Sequence, residues 1–225
     1  MRFPWLIALL SIIAGLTLWP TDNCAKDMQG GVPDDNSVLL DHGIFRAPKF
    51  VADRLACVVR KTGFNIHWKY YPTLRLVSMV MKQELDFIYP MGFSDQRDKI
   101  LDRSEYVFLS EDVLIYRDPK PDFSDRAHVH IGVRRGSPQM SDLIDREFRN
   151  IEIANSYEGL LKMLNAGRVE AVVIPDRVLA TFAATLTQTF VTEAFYRRQI
   201  GFYVGKDWPP DQLTALNAAI VGCRD

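Results

Sequence analysis

Cysteine is scarce in this chain, with three residues in 225, at Cys24, Cys57 and Cys223. None has the C-x-x-C spacing of a metal site. An excess of positive charge is missing too. Twenty-seven Lys and Arg face 28 Asp and Glu, for a net charge of −1, and without a long basic stripe nothing suggests a nucleic-acid partner. Low-complexity tracts, a nucleophile–base motif and a phosphate loop are all lacking, so no catalytic centre and no cofactor is expected. One long apolar run stands out, Trp5 to Leu18 (WLIALLSIIAGLTL). It is short for a bilayer span and follows Arg2, as the core of a signal peptide does. Residues 1–25 are therefore expected to be a cleaved signal peptide and the protein periplasmic; an uncleaved N-terminal anchor is the alternative. Cleavage after Ala25 removes Cys24. The remaining Cys57 and Cys223 then read as a disulfide in an oxidising compartment, with two buried free thiols as the alternative.

What is present reads as a globular α/β protein, 48% hydrophobic and 24% charged, of one large or two small domains. Residues 22–36 are polar, with Gly, Pro and Asp, and read as a flexible leader. Ser37 to Leu40 is a short strand candidate. A helix is expected from Pro48 to Lys61, stopped at Gly63. Phe64, Ile66, Trp68 and Tyr70 alternate with polar residues, the period of a strand. Thr73 opens a helix carrying Leu74, Val77, Val80 and Met81, and Leu85 to Tyr89 is the next strand. A second run repeats the order: a strand at Val129–Val133, a helix opened by Pro138, a strand at Ile151–Ile153, a helix capped by Ser156, and a strand at Val169–Ile174. This is the pattern of parallel sheets. LVSMVMKQELDFIYP (76–90) echoes LLKMLNAGRVEAVVI (160–174), so Asp86 meets Glu170 in matching turns, which argues for a structural role in both. Further strands are expected at Val113–Tyr116 and Ile200–Val204, with a last helix from Asp211.

The organising stretch is Asp86 to Tyr106 (DFIYPMGFSDQRDKILDRSEY). A strand breaks at Pro90 and Gly92, and a short helix starts at Ser94. Ligands sit at the carboxyl ends of strands in open α/β sheets. Arg97, one turn beyond Ser94, suits a carboxylate there; pairing with an acid such as Asp98 is the alternative. Of the adjacent Arg134 and Arg135, at most one reaches into a cleft, and solvent is the default for both. His128 and His130 share one strand face and read as structural.

In order and pattern, Tyr71-Pro72, the 86–106 stretch, HIGVRRGSPQ, YEGLLKMLNAGRVEAVVIPD and QIGFYVGKDWPPDQLTALNAAI resemble the periplasmic solute-binding proteins of ABC importers, of the polar-amino-acid type. The likeness runs over about residues 50–220. It implies a type II, two-lobe α/β fold, each lobe a mixed sheet flanked by helices, with two hinge strands. Lobe one would be 37–115 plus 201–225, and lobe two 116–200. It implies that Ser94 and Arg97 stand for the family's T-x-x-R turn, and that Arg97 holds a ligand carboxylate. Gly136 and Ser137 would add backbone N–H groups and a hydroxyl, and Asp176 would hold an ammonium. Tyr89, Phe93 and Tyr106 would form apolar walls. The implied function is non-catalytic capture of a small polar solute, an amino acid or related carboxylate. The implied partner is an ABC permease or membrane sensor, and the protein would be a monomer. Two alternatives go with the fold: a cyclohexadienyl-dehydratase-like enzyme, and a sensory or interaction domain without a working pocket. The second is suggested by the short segment His42–Pro48, where the family has a longer aromatic and glycine-rich loop.

Overall fold

The computed structural model describes residues 26–34, 39–41 and 44–224. Residues 1–25, expected to be a signal peptide, lie outside these residues, as do Ser37, His42 and Gly43. The first described element is already a departure from the sequence reading. Lys26–Pro33 is a strand, β1, not part of a leader. It runs parallel to β4 (Phe64–Tyr71) along its whole length and to β5 (Phe87–Gly92) at Gly30 and Gly31. The glycines that suggested a loop are required by packing. A Cβ on Gly30 would sit 2.7 Å from the Trp68 ring, and one on Gly31 would sit 2.6 Å from Leu76. Glycine inside a strand often marks such a close approach. Strands β2 (Leu39–Asp41) and β3 (Ile44–Arg46) form a separate hairpin.

Helix α1 (Lys49–Thr62) ends at Gly63, whose φ of 70° is the left-handed value that closes a helix. Arg60 and Lys61 in its last turn complement the helix dipole. Helix α2 (Thr73–Met81) leads into β5, and the one-turn α3 (Asp95–Asp98) follows it. The chain then enters β6 (Asp102–Tyr116), far longer than the Val113–Tyr116 segment expected.

The second half contains β7 (Ile131–Arg134), α4 (Pro138–Asp145), β8 (Ile151–Ala154), α5 (Tyr157–Asn165), β9 (Ala171–Pro175) and α6 (Asp176–Phe182). Ser156 caps α5 by accepting from the Gly159 N–H at 3.0 Å. The chain returns through β10 (Val191–Val204) to α7 (Pro210–Val221).

Strands β6 and β10 pair antiparallel from Asp102↔Val204 to Tyr116↔Val191 and join the halves. The sheet order is β4-β1-β5-β10-β6-β9-β7-β8. The result is a two-lobe periplasmic-binding-protein-like fold, with each lobe's sheet covered by helices on both faces. In lobe one, Met28, Phe87, Tyr89 and Phe202 pack under α1 and α7, while Leu76, Val80, Ile88 and Tyr203 form the core on the side of α2. In lobe two, Leu160, Leu164, Val172 and Ile174 pack under α5, and Ile131, Val133, Leu143 and Val173 pack under α4. Each such fully buried side chain contributes about 1.5–3 kcal/mol. Cys57 of α1 and Cys223 after α7 are joined as a disulfide, with Cα atoms 5.9 Å apart. Among the described residues no helix is long and apolar enough to cross a membrane.

Candidate functional site

The carboxyl ends of four strands, parallel within each lobe and opposed between lobes, meet at the seam. Pro33 ends β1, Gly92 ends β5, Arg134 ends β7 and Pro175 ends β9, and all four line one cavity. The crossing strands add Ser110, Asp112 and Arg198, and the helix starts add Thr73, Gln139, Tyr157 and Arg177. Arg97 lines it as well. Room for the centre of a water molecule amounts to about 30 Å³, enough for about two waters. Four arginines are among its lining residues, Arg97, Arg134, Arg177 and Arg198.

Arg97 is 9% exposed and donates from Nη1 to the Gly92 carbonyl at 2.6 Å and from Nη2 to the Gly136 carbonyl, in the other lobe, at 2.9 Å. Among the described residues no acid pairs with it. Asp98 is engaged elsewhere, by Arg103 at 3.0 Å and by the Tyr203 hydroxyl at 2.7 Å. Burial lowers the Arg97 pKa to about 10, with the Arg198 and Arg134 charges adding to the effect. Arg134 is buried as well, against the expectation of solvent. It donates to Thr73 Oγ1 at 2.9 Å, lies over the Tyr157 ring and comes within 4.0 Å of Asp34. Its neighbour Arg135 is exposed and donates to Asn155.

Arg198 ties the seam together. It donates from Nε to Asp112 Oδ2 at 2.7 Å, from Nη1 to the Phe93 carbonyl at 2.9 Å, and from Nη2 to Asp142. Burial alone would lower the Arg198 pKa, but Asp112 and Asp142 more than reverse this and raise it. The other Asp112 oxygen accepts from Gln139 Nε2 at 2.6 Å.

The remaining expected site residues are scattered. Ser137 is buried, and its hydroxyl neither caps α4 nor finds another partner among the described residues. Gly136 lies at the seam, with φ +69° and Leu74 against it. Ser94 lines two grooves, one of them shared with Arg97, and its N–H donates to the Tyr203 hydroxyl at 3.0 Å. Phe93 lines a neighbouring groove and packs edge-on to Tyr203. Of the expected residues only Arg97 lines the seam cavity itself, and three line neither it nor the grooves beside it. Tyr89 is stacked on Phe202 in the lobe-one core, with ring centroids 4.3 Å apart. Tyr106 packs on the core beside Tyr203 and lies under the Arg224 guanidinium. Asp176 is exposed, and its Oδ1 accepts from Ser110 Oγ at 3.0 Å and from the Arg177 N–H at 2.8 Å. The reason is the same for both tyrosines: on these strands they fall on the faces that pack the core.

Sequence reasoning missed Asp112, Gln139, Tyr157, Arg177 and Arg198. A signal existed for two of them. Asp112 and Arg198 are charges beside apolar strand residues, and buried charges need partners. The expected strands began at Val113 and Ile200, just past each residue. Among the described residues no group of His, Cys, Asp and Glu could hold a metal ion.

The sequence matches no family model and no curated protein. Solved structures match over most of the chain. A histidine kinase sensor domain with similarity to periplasmic binding proteins superposes with a TM-score of 0.76 at 12% identity, covering 88% of this chain and 90% of that one. The arginine-bound form of truncated ArgBP from T. maritima gives 0.72 at 18% identity, covering 89% and 97%. The GluR0 ligand-binding core from Nostoc punctiforme, in complex with L-glutamate, gives 0.71 at 15% identity, covering 87% and 92%. At these identities the likeness is one of fold: the chain is built as periplasmic binding proteins and related ligand-binding domains are.

Proposed function

We propose that this protein captures a small polar solute, an amino acid or related carboxylate, between its lobes without transforming it. The observation that carries this reading is the Arg97 guanidinium at the lobe seam, charged, buried and paired with carbonyls only. A solute carboxylate offers it a stronger, charge-assisted bond than either carbonyl does. The long crossing strands β6 and β10 supply the hinge that lets the lobes part and close. The protein works outside the cytoplasm and presents its solute to an ABC permease or a membrane sensor. Likeness in fold to binding proteins and to a kinase sensor domain supports either partner.

Thermal unfolding against amino acids, opines, small acids and sugars tests the reading. The true solute stabilises by about 2.7 kcal/mol at roughly a hundredfold excess over its dissociation constant, and Arg97→Ala abolishes the shift. The small size of the cavity favours a second reading, an interaction domain whose lobes close on each other. A flat response across the whole solute set would establish that reading and end the first.

A further inference from the structure

Four arginines line the cavity, Arg97, Arg134, Arg177 and Arg198, against a single acidic residue, Asp112. Their partners divide them. Arg198 is neutralised by Asp112 and Asp142, and Arg134 has Asp34 within 4.0 Å. Arg97 and Arg177 have no acid partner among the described residues. Arg97 bonds carbonyls. Arg177 lies over the Phe108 ring, 5.3 Å from its centroid, and its buried Nε has no hydrogen-bond partner among the described residues. The two come from opposite jaws, Arg97 from α3 in lobe one and Arg177 from α6 in lobe two.

An ammonium group has no comparable place. Both Asp112 oxygens are taken, by Gln139 and Arg198. Asp176 is exposed, outside the lining, and holds Ser110 and the Arg177 N–H. A cation entering the cavity would meet Arg97 and Arg177, which no acid offsets among the described residues, and like charges repel. Gln139 Oε1, a buried acceptor without a partner among the described residues, carries no charge to offset an ammonium.

We propose that the solute is a small dicarboxylate without an α-ammonium group, with one carboxylate on Arg97 and the other on Arg177. This rests on the reading of Arg97 given above and adds the second anion and the exclusion of the amine. Bridging two guanidinium groups from opposite lobes also makes closure depend on both ends of the solute.

Calorimetric titration of the purified protein with glutarate, succinate, L-glutamate, L-aspartate, L-arginine and inorganic phosphate tests it. Glutarate and L-glutamate share a carbon chain and differ in the amine. A diacid should bind at least about tenfold more tightly than its amino-acid counterpart. Arg177→Gln should weaken diacid binding by about thirtyfold or more, and Arg177→Lys, which keeps the charge, should recover part of it. Tighter binding of L-glutamate than of glutarate, lost in Asp176→Asn, would overturn the diacid assignment and leave the carboxylate reading standing. Phosphate binding with the diacids inert would overturn it in favour of one compact anion. Silence from every probe would overturn the diacid assignment and leave the carboxylate reading to the wider solute set above.

Discussion

The two lobes repeat one another to the level of single hydrogen bonds, and their chemistry parts company at the cleft. In lobe one, Asp86 Oδ2 accepts from the Gln29 N–H at 2.6 Å while the Asp86 N–H donates to the Gln29 carbonyl at 2.9 Å. In lobe two, Glu170 Oε2 accepts from the His130 N–H at 2.7 Å while the Glu170 N–H donates to the His130 carbonyl at 2.8 Å. One residue pair further on, Gly31 lies against Leu76 and Leu85, and Gly132 lies against Leu160 and Val169. Each acid latches the incoming strand to the central one, and each glycine lets a helix leucine reach the sheet. At the strand ends the likeness stops. Pro33 closes β1 where Arg134 closes β7, and Thr73 opens α2 where Tyr157 opens α5. The scaffold is common to both lobes; the chemistry of the seam comes from positions the scaffold leaves free.

The comparison can be broken most forcefully at the disulfide, which lobe two has no counterpart for among the described residues. Cys57 and Cys223 are 166 residues apart, and replacing both by serine should cost about 2–5 kcal/mol. Chemical denaturation reads the loss. Hydrogen exchange should show α1 and α7 loosened and α4 and α5 unchanged; uniform loosening would mean that the lobes unfold as one unit. A smaller effect is expected at the matched glycines. Gly31→Ala and Gly132→Ala each bring a Cβ to 2.6 Å from a leucine methyl, an overpacking worth about 1–3 kcal/mol apiece. Melting of the double variant should give the sum within about 0.5 kcal/mol. Smallest are the matched acids. Asp86→Ala should cost about 1–2 kcal/mol and the more exposed Glu170→Ala about 0.5–1 kcal/mol, and a reversed order in urea titrations would break the equivalence.

Much of this repetition was legible in the chain. The 76–90 and 160–174 segments align by eye, and the alternation over 64–70 marks β4, where Asn65, His67 and Lys69 are exposed. Periodicity reports which face of an element is covered, and covered faces dominate a scaffold. What escaped lies where long-range contact overrides local preference. KDMQGGVP has little strand propensity, yet it becomes β1 because Trp68 and Leu76 fill the space above its glycines. The seam was read in part. Arg97 was marked by its turn, but the pairing of Asp112 with Arg198 spans 86 positions and leaves no local trace. Tyr89 and Tyr106 show the converse error, since an aromatic near a turn says nothing about which side of the sheet it will occupy.

Arg198 carries a last consequence. One side chain on the strand shared by both jaws grips a carbonyl of the upper jaw and an acid of the lower. Parting the jaws exposes ions that water solvates about as well as they solvate one another. The clasp therefore guides the swing more than it resists it, and the grip on a captured molecule has to come from that molecule's own charges.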